Sequence, residues 1–211
     1  MYVKEYSLAK DGFKNVTKNI KVRELRCKDG SDLIKMDYVV VCIAQYVRDV
    51  FNKAININSA YRTKKYNARP DVGGASGSKH LISCALDAWI ENVDPQLIAN
   101  LVYSIGLNRV GVYSNFVHFD TARTPVWLSK GNFTKINVPY QNRVISRYKN
   151  NKDYLVAIIQ YKLNLLGYNM GKEDGIAGPK FDKAVKRFQK DKKLLVDGKV
   201  GKDTWNAIFN K

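Results

Sequence analysis

The sequence predicts an α+β fold, with helices packed on a small antiparallel sheet, followed by a small C-terminal three-helix domain. Three observations carry this. Short alternating apolar segments are interleaved with two amphipathic helical stretches through the first 128 residues. A stretch without a single acidic residue, 129–150, then breaks the pattern. Beyond it a turn built on Asp-Gly-x-x-Gly occurs twice, at Asp174 and at Asp197, each time leading into a helix. The expected organisation is a first domain over 1–128, a basic linker over 129–150 and a three-helix domain over 151–211.

Taken in order, the first thirty residues mix Phe13, Val16, Ile20 and Val22 with lysines, and suggest a strand or two ending at the Asp29-Gly30 turn. Asp37 is placed to cap a helix whose buried face is Val40, Ile43, Ala44, Val47 and Phe51, spaced i, i+3, i+4, i+7. Residues 54–62 alternate like a strand, with Ile55 and Ile57 on one side. From Thr63 to Gly77 the chain is rich in Lys, Asn, Pro and Gly, a loop of a length more often functional than filler. Ala85 to Ile90 is strand-like. Asp94-Pro95 opens a helix, Asp as cap and Pro in the first turn, closed by Gly106. Residues 110–113 and 116–120 predict a hairpin. Behind the linker, Tyr154 to Leu166 is a helix ended by Gly167. Further helices carry Phe181, Ala184, Val185 and Phe188, and then Trp205 and Ile208.

The 211-residue chain carries a net charge of +17, split as +6 over 1–128, +5 over 129–150 and +6 over 151–211. An excess spread this evenly favours a polyanionic partner met over a broad surface, and salt weakens such attraction. Nucleic acid, anionic lipid and bacterial wall polymers all satisfy it. No zinc-finger, aromatic RNA-binding or helix-turn-helix pattern supports nucleic acid. No apolar run approaches the roughly 18–20 residues that span a bilayer, so membrane insertion is not expected. The amino-terminal residues lack the features of a secretory signal, and synthesis in the cytoplasm is expected. Cys27, Cys42 and Cys84 lack metal-type spacing and suit reduced thiols.

The chemistry gathers in two short stretches. The only two histidines, His80 and His118, each lie near an aspartate: His80 seven residues before Asp87, His118 two before Asp120. Two imidazoles and a carboxylate are the usual protein ligands of a catalytic zinc, with a fourth position left for water. In a strand Val117 and Phe119 face one way and His118 and Asp120 the other. Asp87 stands among Ala85, Leu86, Ala88 and Trp89, where a carboxylate costs several kcal/mol unless paired or metal-bound. A buried carboxylate facing a lysine or capping a turn would also satisfy it.

Ser78-x-His80, Asp87, His118-x-Asp120, preceded by Ser59-Ala60-Tyr61-Arg62 and Gly73-Gly74, resembles the D-alanyl-D-alanine carboxypeptidase and endolysin family of zinc peptidases over roughly residues 20–125. The resemblance implies His80, Asp87 and His118 as Zn2+ ligands. It gives Arg62 the role of binding the polarised carbonyl or a substrate carboxylate; a surface arginine lying over Tyr61 is the alternative. Two positions depart from the family pattern. Ser83 stands where members commonly have Gly, so a positive φ there would strain it. Asn115 stands where many relatives place the catalytic acid, and an amide cannot act as general base. Asp120 is the substitute candidate, either as base or as a carboxylate that orients a ligand histidine. Tyr113 and Asn67 are candidate substrate contacts.

The C-terminal stretch resembles the peptidoglycan-binding domain that accompanies wall hydrolases, on Gln160-x-x-Leu163-x-x-Leu166-Gly167, Asp174-Gly175-x-x-Gly178, Ala184-Val185-x-x-Phe188-Gln189 and Asp197-Gly198-x-x-Gly201-x-x-Thr204-Trp205. Together the resemblances imply a monomeric zinc-dependent peptidoglycan hydrolase of the phage endolysin type. It would cut stem-peptide or cross-link amides after release to the cell wall, its charge attracted to anionic wall polymers. The alternatives are a D-alanyl-D-alanine carboxypeptidase or a zinc-containing wall-binding protein without activity.

Overall fold

A computed structural model describes residues 1–123, 125–147 and 152–210. The chain begins with strand β1 (Val3–Ser7) and a one-turn helix α1 (Leu8–Asp11), followed by a 3-10 turn at Val22–Leu25. Strand β2 (Leu33–Asp37) pairs antiparallel with β1 and runs directly into helix α2 (Tyr38–Phe51). Asp37 caps α2, its side chain accepting from Val39 N. The same buried carboxylate accepts from Tyr2 N at 2.9 Å and from the Thr121 hydroxyl at 2.5 Å. Its own backbone N–H donates to Ser83 O at 2.7 Å. One residue thus ties the chain entering β1, the central helix, the turn before β4 and the chain leaving β6.

Strand β3 (Ile55–Ser59), a one-turn helix α3 (Lys64–Asn67), strand β4 (Ala85–Ile90) and helix α4 (Pro95–Ile105) follow. Asp94 accepts from Gln96 N, Pro95 fills the first turn of α4, and Gly106 closes it at φ +122°, as the residue pattern predicts. Strands β5 (Arg109–Val112), β6 (Val117–Asp120) and β7 (Trp127–Ser129) complete a five-stranded sheet of order β3-β4-β6-β5-β7. Its first three pairings are antiparallel. The expected small antiparallel sheet is present, and one edge adds a parallel strand, where β7 lies beside β5 with Trp127 opposite Arg109. A three-residue strand carries too little alternation to be read from sequence.

Helices α5 (Tyr154–Leu165), α6 (Pro179–Asp191) and α7 (Lys202–Phe209) form the C-terminal unit. Its two Asp-Gly turns are closed in the same way. Gln160 of α5 accepts from Gly175 N at 2.9 Å and donates to Asp174 at 3.1 Å. Gln189 of α6 accepts from Gly198 N at 2.9 Å and donates to Asp197 at 2.9 Å. Both glycines sit at positive φ, +78° and +72°, where a side chain would be strained. A helical glutamine thus closes each copy of the repeat.

The C-terminal unit shares its core with the front of the molecule. Helix α5 packs on α2, and the Tyr154 hydroxyl donates to Asp49 at 2.5 Å. Trp205 lies 5.9 Å from Tyr46, ring to ring, and its indole N–H donates to Val138 O at 2.9 Å. The segment expected to link the two units is therefore packed where it is described: Val138 and Ile145 are fully buried, and Ile145 bridges to Val200. Residues 148–150 of that segment, and residue 151 at the expected start of the last domain, lie outside the described residues.

Candidate metal centre and its cleft

The ladder of the larger sheet brings two of the predicted groups face to face. Asp87 of β4 is directly opposite His118 of β6, and Ser59 of β3 is opposite Asp87 on the other side. His118 Nδ1 lies 2.7 Å from Asp87 Oδ1. His80 arrives from the turn before β4, which is held by Cys84 N donating to Lys79 O at 3.2 Å and Arg62 N donating to His80 O at 3.3 Å. His80 Nε2 lies 3.2 Å from Asp87 Oδ2. One donor atom from each of His80, Asp87 and His118 falls within 4.8 Å of the other two.

The outer nitrogens fix the ring orientations. His80 Nδ1 faces Ala60 O at 2.6 Å, so a proton there would leave Nε2 to ligate a metal held in the cluster. His118 turns Nε2 toward Asp120 Oδ2 at 3.3 Å and offers Nδ1 to the cluster. Burial opposes ionisation of Asp87. Hydrogen bonds from His118 and His80, with their charge, outweigh it and hold this carboxyl well below the usual carboxylate range. Burial likewise disfavours a charged His118, but its contacts to Asp120 and Asp87 prevail and raise its pKa. Two nitrogens and an ionised carboxylate converging on one point form the donor set that suits zinc, and suit it better than an all-oxygen cation such as magnesium.

The cluster lies in a cleft of about 470 Å³, walled by Arg62, the Gly73-Gly74 bend, Lys79, Tyr113 and Trp127. Arg62 is locked at both ends, donating to Ser59 Oγ at 2.7 Å and to Asp87 Oδ2 at 2.8 Å. Tyr113 stacks on Phe116 at 4.3 Å, with the Lys130 ammonium over its face.

Two predicted residues stand elsewhere. Asn67 is buried away from the cleft, donating to Ala75 O at 3.0 Å. Its amide lies where a side chain on Gly74 would be, so it braces the 63–77 loop rather than meeting a substrate. Asp120 is fully buried and does not line the cleft. Arg109 Nε reaches both of its oxygens, Ala122 N donates to one at 3.0 Å and His118 faces the other. Both oxygens of this carboxylate are engaged, one of them by the His118 ring, and neither is turned to the cleft. Among the described residues, Asp87 is the sole carboxylate lining the cleft. Asn115 is exposed at the hairpin tip.

Sequence reasoning missed Arg109 and Trp127. Arg109 gave a signal, since a guanidinium opening an apolar strand needs a buried partner. Trp127 gave none: β7 alone carries it to within 5.4 Å of His118, edge to face. Gly111 leaves it room, as a side chain there would come within 2.6 Å of the indole.

Comparison with known proteins finds two family models along the chain. The family model described as Peptidase M15 matches residues 14–120, a span that includes His80, Asp87 and His118. A model of a peptidoglycan binding domain matches residues 152–208. A solved structure, described as the crystal structure of SleB N-terminal domain, is 32% identical, covering 34% of this chain and 96% of that one, with a TM-score of 0.31.

Proposed function

The chain belongs to the peptidase M15 family and carries a peptidoglycan-binding domain, and from that premise we propose a zinc-dependent hydrolase of peptidoglycan, of the endolysin type, cutting a stem-peptide or cross-link amide. The observation that carries this reading is the convergence of His80, Asp87 and His118 within 4.8 Å at the base of an open cleft.

His80 Nε2, an Asp87 oxygen and His118 Nδ1 would hold the metal. When bound, zinc lowers the pKa of a water to near neutrality and polarises the scissile carbonyl. The chain's own residues do the rest. Asp120 and Ala60 O hold the two imidazoles in the tautomers that leave their inner nitrogens unprotonated. Arg62, fixed by Ser59, keeps a guanidinium at the edge of the cluster, where it offsets negative charge developing on the substrate carbonyl. Tyr113, Phe116 and Trp127 give an aromatic wall on which the substrate chain lies. The C-terminal unit holds the wall polymer nearby and raises the local concentration of cleavable bonds.

The test is mass spectrometry of muropeptides after digestion of purified sacculi, run with chelator, after zinc restoration and with His80→Ala. New amino termini should appear only in the wild-type protein with metal. One observation favours a second reading. Among the described residues the cleft holds no free carboxylate to act as base, as suits a protein that grips the wall without cutting it. Full zinc loading with no new termini would establish that reading.

A further inference from the structure

A second cavity, about twice the volume of the cleft at about 950 Å³, lies beside it. One wall is the turn that carries His80 and the chain leaving β6, through Ile82, Thr121 and Ala122; the other is the chain after α5, through Asn169 and Lys172, with Lys180 of α6. Lys79 lines both this groove and the metal-site cleft, so the two meet at one residue. Cavities of this size formed where two packed units meet are preferred ligand sites.

The charge of the groove is one-sided. Its one acid among the described residues, the buried Glu173, is engaged by Arg123 and the amino terminus and accepts from Asn164 Nδ2 at 2.9 Å. Lys79, Lys172 and Lys180 have no carboxylate within ion-pair distance among the described residues. Three lysines without a carboxylate partner therefore line a space whose one acid is already engaged by two cations. Ile82, 46% exposed at its rim, adds an apolar surface.

We propose that this groove is an extended subsite for the carboxylate-bearing part of a peptidoglycan stem peptide whose scissile amide lies in the cleft beyond Lys79. The assignment rests on the hydrolase reading above. Stem peptides alternate small apolar side chains with free carboxylates, and the groove offers both an apolar rim and spaced cations. A polyphosphate wall polymer would use the lysines but has no need of Ile82. Because both walls belong to one continuous core, the subsite is formed before substrate arrives.

The test measures binding without turnover. The full chain, in chelator and again with zinc, is titrated with a soluble stem tetrapeptide, with the same peptide amidated at its carboxylates, and with poly(glycerol phosphate). A Lys172→Glu/Lys180→Glu variant is titrated alongside; both lysines are exposed, and an unchanged thermal transition confirms folding. The free-carboxylate peptide should bind at least tenfold more weakly to the variant, and amidation should cost the wild-type protein a similar factor. Equal binding by wild type and variant, or by both peptides, overturns the subsite. Displacement of the peptide by poly(glycerol phosphate) at equal charge concentration overturns it in favour of wall-polymer phosphate. Lysine-dependent binding in a protein that never releases new amino termini would sink the hydrolase reading and spare the subsite. Turnover with lysine-independent binding would do the reverse.

Discussion

Arg109 Nε stands 3.0 Å from each carboxylate oxygen of Asp120, so the carboxylate facing His118 is itself clamped. Asp120→Asn keeps the shape and removes the charge that holds the ring. Loss of a carboxylate behind a ligand histidine typically weakens metal binding 10–100-fold. Zinc affinity, read by competition with a chromophoric chelator, should fall in that range, with activity recoverable at excess zinc. Unchanged affinity would detach Asp120 from the centre.

Zinc should act as a folding ligand. At a hundredfold its Kd, a ligand of the folded state alone adds about 2.7 kcal/mol. The thermal transition should therefore rise with zinc for wild type and stay flat for His80→Ala. A shift of equal size in both would place the ion elsewhere.

Ser83 sits at φ +69° in the turn that presents His80, a left-handed conformation that disfavours a side chain. Ser83→Gly relieves that strain and adds some unfolded-state entropy, for a net gain of about 0.5–1 kcal/mol in urea unfolding. A loss of stability would mean that the serine hydroxyl supports the turn more than its backbone strains it.

At Gly111 a methyl group would meet the Trp127 ring at 2.6 Å. Gly111→Ala should displace the indole from its place against His118, costing about 1–3 kcal/mol as overpacking does. Tryptophan fluorescence should change along with kcat/KM. Wild-type values for both would show that the ring moves aside freely.

Burial pushes the Cys84 thiol from 9.0 up to about 12. The folded state therefore keeps a proton that the unfolded chain gives up above about pH 9, so this contribution is whole below that pH and declines as pH rises toward 12. Between pH 8 and 10.5 it should cost about 1–2 kcal/mol in the urea midpoint. Cys84→Ala should show a correspondingly shallower decline; parallel declines would assign the effect to other groups.

Much of the centre was legible in the sequence because strand alternation is a two-residue rule. Val117 and Phe119 pointing into the core oblige His118 to the other face, and the ladder then sets Asp87 opposite it. The cap at Asp37 and the Asp94-Pro95 start were equally plain, since both act within three residues. The role of Asp120 was not, because it depends on a guanidinium eleven residues away across a hairpin. Gln160 and Gln189 belonged to recognisable motifs, yet their work is done on turns fifteen and nine residues downstream. Only folding shows that.

The burial of Trp205 against Tyr46 and of Val138 beneath it carries a consequence for how such a molecule works on a wall. Among the described residues, grip and blade are a single casting that shares one core. For the hydrolase proposed above, wherever the grip takes hold the blade falls at a set offset, so the spacing of the wall mesh itself would select which bonds come within reach.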